Sequence, residues 1–333
     1  MTIALNKFQK ALCNIMQEPL PLRARPFAII AERLSSDEGT VISQLQELKS
    51  LGVIRRFSAT IDYRRSGKVA VLVTTCVPTD DLTTVTAVIN ALPGVSHNYL
   101  REHHYNLWFT LQADDTGQID TMLANLSRRL GCKFHSLSAT KVFKLHVRFD
   151  ADFPEGVLAL ADVETDSFGA VTFDPEPATL TSLEKEILTK LQRDLEISPR
   201  PFDFLVTDTV DIETAVETIR SLTDKGVIRS VSAVLNQHKL GFGANVMFCA
   251  AVKSDRVDDV GQNLAKLKIV SHCYERKTFE GWPYNLFAMM HARTLAQIRR
   301  VISKFTASEH IGEFELLVTT AELKKQAVKQ SFS

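Results

Sequence analysis

Nothing in this sequence supplies a ready-made catalytic or metal-binding signature. HExxH, Walker-type, GxGxxG and GxSxG patterns are all missing, which removes the common zinc hydrolase, nucleotide-binding and serine-nucleophile readings. The five cysteines (Cys13, Cys76, Cys132, Cys249, Cys273) contain no Cys-x-x-Cys pair. An odd, scattered set argues against a disulfide framework or a thiolate metal site, and suits a reducing cytoplasm. No apolar run approaches the ~20 residues that a membrane helix needs. The N-terminal stretch MTIALNKFQKALCNIM introduces charge too early for a secretion signal. Nor is there an excess of positive charge. With 39 basic and 39 acidic residues, the chain lacks the field of a dedicated nucleic-acid binder.

What the chain has is a duplication. GVIRRFSATID (Gly52 to Asp62) returns as GVIRSVSAVLN (Gly226 to Asn236), and ARPF (Ala24 to Phe27) as PRPF (Pro199 to Phe202). VSHNY (Val95 to Tyr99) returns as VSHCY (Val270 to Tyr274), and YNLWFTL (Tyr105 to Leu111) as YNLFAMM (Tyr284 to Met290). Four blocks keep their order and nearly their spacing, so two copies of one two-part module are fused.

Each copy opens with helical periodicity. Phe8, Leu12, Ile15 and Met16 recur at helical spacing in copy one, as do Leu183, Ile187, Leu188 and Leu191 in copy two. A Pro-bearing turn and a middle helix follow. A third helix is then lined by Val41, Leu45, Leu48 and Leu51, or by Ile212, Val216, Ile219 and Leu222, and closes on Gly52 or Gly226. Three short helices leading into a strand predict a winged helix-turn-helix. The remainder of each copy alternates as β-α-β-β-α-β, the split βαβ or ferredoxin-like sandwich, so the fold class is α+β. The predicted boundaries are a helix-turn-helix unit at 1–58, a ferredoxin-like unit at 59–149, an acidic tether at 150–180, and the second pair at 181–232 and 233–326. The stretch from Phe149 to Glu184 has no Lys or Arg.

A helix-turn-helix followed by a ferredoxin-like domain resembles the Lrp/AsnC family of amino-acid-responsive regulators. The helix that would enter a major groove must offer Arg, Lys, Asn or Gln at its leading end. That end carries Asp37 and Glu38 in copy one, and Asp211 and Glu213 in copy two. Carboxylates there repel phosphates and make good helix starts, so DNA is an unfavoured partner.

Unusual residues gather at matching places. Copy one has SHNYLREHHYNLWF, with His97, Tyr99, Arg101, His103, His104 and Tyr105; copy two has SHCYERKTFEGWPYNLF, with His272, Tyr274, Arg276, Trp282 and Tyr284. The first-strand turns carry Tyr63, Arg64, Arg65 and Lys68 against His238, Lys239 and Phe242, and the RPF loops add Arg25 and Arg200. Guanidiniums suit carboxylates, aromatic rings suit an extended π-system, and imidazole moves protons near neutral pH or ligates iron. The bland reading of any one of these residues is a polar sheet edge or a packed turn. Recurrence of SH-x-Y and YNL in both copies favours a pocket for a flat, carboxylate-rich ligand.

At these blocks, with HKLGFGANVM and GWPYNLFAMMH added, the chain resembles the siroheme decarboxylases, Lrp/AsnC-like proteins of heme d1 and alternative heme biosynthesis. The resemblance covers essentially the whole chain outside the tether. Copy one resembles the D-type subunit and copy two the L-type. It implies removal of the C12 and C18 acetate carboxyl groups of siroheme, with no cofactor beyond the siroheme iron. On this resemblance His238 and His272, then His97, are the catalytic proton donors, and axial ligation of the siroheme iron by a histidine stays open. Arg25, Arg64, Arg101, Arg200, Arg276 and Lys239 are the expected carboxylate holders. Tyr99, His103, His104, Asn245, Tyr274, Trp282 and Tyr284 complete the expected substrate site. Copy one departs from the pattern by reading Tyr-Arg-Arg-Ser-Gly-Lys where copy two has His238, which suggests one competent site per fusion. The implied partners are siroheme, related decarboxylase subunits or a second copy of the chain, with no membrane. The alternatives are a non-catalytic heme sensor and a DNA-binding regulator.

Overall fold

The computed structural model describes residues 2–145, 148–151 and 175–332. Copy one runs α1 (Lys7–Met16), α2 (Pro26–Arg33), α3 (Glu38–Ser50), β1 (Ile54–Ile61) and β2 (Val69–Thr75). It continues through α4 (Leu82–Asn90), β3 (Val95–Arg101), β4 (Leu107–Ala113), α5 (Thr116–Leu130), β5 (Phe134–Leu137) and β6 (Ala139–Leu145). Copy two runs α6 (Ser182–Leu191), α7 (Ile212–Asp224), β7 (Ile228–Leu235), β8 (Ala244–Ala250) and α8 (Val257–Ala265). It ends with β9 (Val270–Arg276), β10 (Leu286–Ala292), α9 (Leu295–Ser308) and β11 (Phe314–Lys325).

Side-chain caps start the helices. Asn6 with Gln9 and Thr181 with Glu184 form reciprocal capping boxes on α1 and α6. Asp37 and Asp211 accept from the backbone N–H of Thr40 and Thr214, so the carboxylates facing away from DNA chemistry are helix caps. The copies part at the second helix. Copy one builds α2 with Pro26 in its first turn, where a missing N–H costs nothing. Copy two was expected to do the same, but has only a 3-10 turn, Asp203–Leu205. Val206 is already extended, and the Thr207 N–H donates to the Val210 carbonyl at 2.9 Å, leaving room for a single turn.

The sheets do not respect the repeat. β1 pairs antiparallel with β7 in a two-stranded ribbon, Ser58 opposite Ser232. This ribbon runs across residues 58 and 232, so the modules join at the turns that follow it. The other nine strands form one sheet, ordered β5-β2-β4-β3-β11-β8-β10-β9-β6. In β11, residues up to Val318 pair with β8 of the same copy, and Thr319 to Lys325 pair with β3 of the other. Copy one repeats this with two pieces, β5 on β2 and β6 on β9. The expected ferredoxin-like order is present, but the last strand of each copy is shared. Sharing it gives both otherwise open edges a hydrogen-bonded partner.

Side-chain alternation then covers both sheet faces. Val71, Val73 and Phe109 pack beneath α4 and α5, and Val246 and Phe248 beneath α8 and α9. The opposite face places Trp108 and Leu137 of copy one against Met247, Trp282 and Leu317 of copy two. The helical regions of both copies also merge into one core through the β1–β7 ribbon. Most of the acidic tether lies outside the described residues. Its end is held by copy one, where Ala178 N–H donates to the Arg65 carbonyl at 2.9 Å. Among the described residues no helix is long and apolar enough to cross a membrane.

Candidate active site

His97, Tyr99 and Arg101 alternate along β3, so they share one face; His272, Tyr274 and Arg276 do the same on β9. In each triplet the imidazole stacks on the tyrosine, with centroids 6.2 and 6.3 Å apart. The guanidinium lies over the same ring, at 5.4 Å for Arg101 and 4.5 Å for Arg276. Each arginine is then tied to the other copy. Arg101 donates to the Leu317 carbonyl at 3.0 Å and Thr319 Oγ1 at 2.9 Å, and Arg276 donates to the Leu137 carbonyl at 2.9 Å. The exchanged strands therefore fix both triplets.

Both triplets line a cavity of about 2540 Å³ that also touches the β1–β7 ribbon. Its lining includes fifteen arginines and lysines but two carboxylates, Asp150 and Asp194. In a chain with balanced charge, that local excess marks a site for a polyanion. Buried polar atoms there also lack protein partners among the described residues: Arg101 Nε, Arg276 Nε, both amide atoms of Gln237, and Asn245 Oδ1. Leaving such an atom unpaired costs about 1–3 kcal/mol, a cost that a ligand can offset.

Burial pushes the imidazoles down, His97 to about 4 and His272 and His291 to about 3, so all three are neutral at pH 7. Burial raises the Tyr99 and Tyr274 hydroxyls to about 12, which keeps them as donors. Arg101 drops to about 10 for the same reason and remains cationic.

A hydrogen-bonded chain distinguishes the copies. Ser271 Oγ lies 2.9 Å from His272 Nδ1 and 3.0 Å from His291 Nε2. Ser96 Oγ likewise lies 2.9 Å from His97 Nδ1. The position matching His291 is Gln112, however; Gln112 pairs with Ala70 as His291 pairs with Asn245. His291 escaped the sequence reading because a histidine ending a β-strand carries no motif. The signal was its mismatch with Gln112 in the aligned YNL strands.

The remaining candidates scatter in an instructive way. Arg64 comes to the opposite copy's triplet, with its charge and that of Tyr63 felt at Tyr274, while Asp62 accepts from Arg64 Nε at 2.9 Å. The turns are thus exchanged like the strands. His238 is exposed on its turn, and neither it nor Lys239 lines the cavity, although the charge of His238 reaches His291 and Glu322. Arg25 and Arg200 are exposed on the helical modules, paired with Glu38 and Asp203. His103, Trp282 and Tyr284 gather elsewhere, in the apolar core between the copies. His103 meets Trp282 at 5.5 Å and Trp282 meets Tyr284 at 4.8 Å. His104 is exposed, with Nδ1 3.8 Å from Cys76 Sγ. Sequence adjacency joined these residues to the triplets, but the hairpin turn carries them past the end of the cavity. Conversely, Arg55, Arg56, Arg229 and Lys325 line the cavity and were not picked out. The Arg following GVI in both repeats was the available sign. No group of three metal-ligating side chains occurs among the described residues.

Both kinds of module have counterparts among known proteins. An AsnC-like ligand binding domain matches residues 65–144 and again 239–324, and a siroheme decarboxylase NirDL-like HTH domain matches residues 9–55. Siroheme decarboxylase of Hydrogenobacter thermophilus is 32% identical over 327 residues, 97% of this chain and 95% of that protein. The siroheme decarboxylase NirD subunit of Stutzerimonas stutzeri, 37% identical, covers 46% of this chain and 97% of its own length. A crystal structure of siroheme decarboxylase NirDL in complex with an iron-uroporphyrin III analogue superposes with a TM-score of 0.70 at 29% identity. The match covers 97% of this chain and 94% of that one.

Proposed function

This chain belongs to the siroheme decarboxylase family, and from that premise we propose that it removes the C12 and C18 acetate carboxyl groups of siroheme, giving 12,18-didecarboxysiroheme and two molecules of carbon dioxide. The carrying observation is the cavity itself: a large space with fifteen cationic side chains, two carboxylates and unpaired guanidinium N–H groups fits a ring bearing many carboxylates. The iron belongs to the substrate. In each step the bond between the methylene carbon and its carboxyl breaks, the macrocycle takes the electron pair, and one proton returns to that carbon, so the class is carboxy-lyase.

The protein's part is to hold the ring, keep water from the reacting carbon and deliver the proton. Arg276 and Arg229 hold carboxylates, and Tyr274 supplies a face. With Ser271 donating to Nδ1, His272 carries its proton on Nε2, the edge left free toward the cavity. It releases that proton to carbon as Ser271 and His291 pass another along behind it. His291 Nδ1, which has no partner among the described residues, is where the chain reloads. Neutral imidazoles suit this role, because charge at the relay never builds up.

Anaerobic incubation of the purified protein with siroheme, followed by mass spectrometry of the tetrapyrrole, tests the proposal. Loss of two carbon dioxide equivalents supports it. A bound but unchanged siroheme contradicts it and leaves a tetrapyrrole sensor.

A further inference from the structure

The two triplets are flanked by opposite chemistry. Beside β3, Lys325 stands opposite His97 and Glu322 opposite Tyr99. Beside β9, the matching positions are Leu145 opposite His272 and Val142 opposite Tyr274. Glu322 accepts from Arg55 at 2.9 Å and lies 3.6 Å from Lys325. Arg229, the repeat counterpart of Arg55, forms no salt bridge among the described residues; the nearby Asp62 is already engaged by Arg64.

We infer that Glu322 is a built-in stand-in for a substrate carboxylate, which neutralises the lining cations Arg55 and Lys325 of the β3 half of the cavity from behind, so that the tetrapyrrole binds only beside β9. This rests on the siroheme reading above and says where in the cavity it operates. Space alone does not exclude a second ring, since 2540 Å³ exceeds the roughly 300–1,000 Å³ of an ordinary ligand pocket. Exclusion has to be chemical. A ring entering beside β3 would find the cations it needs answered already, Arg55 and Lys325 by Glu322 and Arg56 by the nearby Asp194. The chain beyond β11 adds cover on the same side. Gln326 N–H donates to the Ser96 carbonyl at 2.8 Å, and Ala327, Val328 and Lys329 line the cavity. Beside β9 the flanking strand offers no carboxylate, only Val142 and Leu145 opposite the triplet with Lys141 and Lys144 between, and there the His291 relay is complete.

The test is a titration of the full chain with iron-uroporphyrin III, an iron porphyrin rich in carboxylates that does not turn over during the measurement. Wild type should saturate at one equivalent per chain. Glu322→Gln, nearly isosteric, should saturate at two. Val142→Glu places a carboxylate beside Tyr274 as Glu322 stands beside Tyr99, and should weaken the single site at least tenfold, whereas Val142→Gln should keep it. Two equivalents on wild type, one on Glu322→Gln, or unweakened binding by Val142→Glu each overturn the inference while leaving siroheme decarboxylation intact. No binding by wild type overturns both.

Discussion

His291 Nε2 lies 3.0 Å from Ser271 Oγ, and the other copy has no equivalent pair because Gln112 stands where His291 would be. One imidazole therefore separates a strand face with a serine-linked pair of imidazoles from one with a single serine-linked imidazole.

Converting His291 to the residue of the other copy, His291→Gln, should lower the rate of carbon dioxide release about tenfold to a hundredfold, since positioned proton transfer contributes 10²–10⁴-fold and His272 itself remains. KM for siroheme should stay within a few-fold. A purely structural role would instead shift KM and thermal stability together and leave the pH profile unmoved.

The apo protein should lose stability in mild acid. His97, His272 and His291 have folded values of about 4, 3 and 3 against 6.5 for the free imidazole. The unfolded chain therefore binds more protons once the pH falls below about 6.5. The stability is fully present above that pH and drains away toward pH 4 and below. Each imidazole contributes roughly 1–3 kcal/mol to that loss, the lower figures allowing for water in the open cavity. Urea midpoints at pH 7.5, 6, 5 and 4 should fall stepwise; a flat profile above pH 5 contradicts this account of the buried imidazoles.

Arg229 is exposed at the cavity wall and forms no salt bridge with a carboxylate among the described residues. Arg229→Ala should leave the fold intact and weaken tetrapyrrole binding about tenfold or more, the size of a lost charged hydrogen bond. Equilibrium titration at low and high salt checks both the loss and its electrostatic origin.

The exchanged strand gives a stability test. A Cβ at Gly261, on α8 of copy two, would lie 2.5 Å from the ring of Phe143 on β6 of copy one. Gly261→Ala should cost about 1–3 kcal/mol by overpacking, where the same change on an uncovered helix would be worth up to about 1 kcal/mol in stability. Adding Phe143→Leu should restore much of the loss.

These sites also show what could be foreseen from sequence. Period-two alternation in SHNYLR and SHCYER put each His-Tyr-Arg triplet on one face, and the helix starts at Asp37 and Asp211 were readable as caps. Strand exchange was not readable. A repeat announces similar modules, but says nothing about whether β11 finishes its hydrogen bonds on β8 or moves on to β3. That step placed Glu322 beside Tyr99. His103, His104, Trp282 and Tyr284 misled because nearness along a hairpin is not nearness to a cavity. Arg25 and Arg200 misled because an arginine after a turn finds a local carboxylate as easily as a ligand.

The most direct test of the account is the release of carbon dioxide from siroheme by His272→Gln and His97→Gln, assayed side by side at saturating substrate. His272→Gln should lose about 10²–10⁴-fold in rate and still bind the tetrapyrrole, while His97→Gln should stay within a few-fold of wild type. Equal losses, or loss in His97→Gln alone, would contradict the assignment of the chemistry to the β9 face.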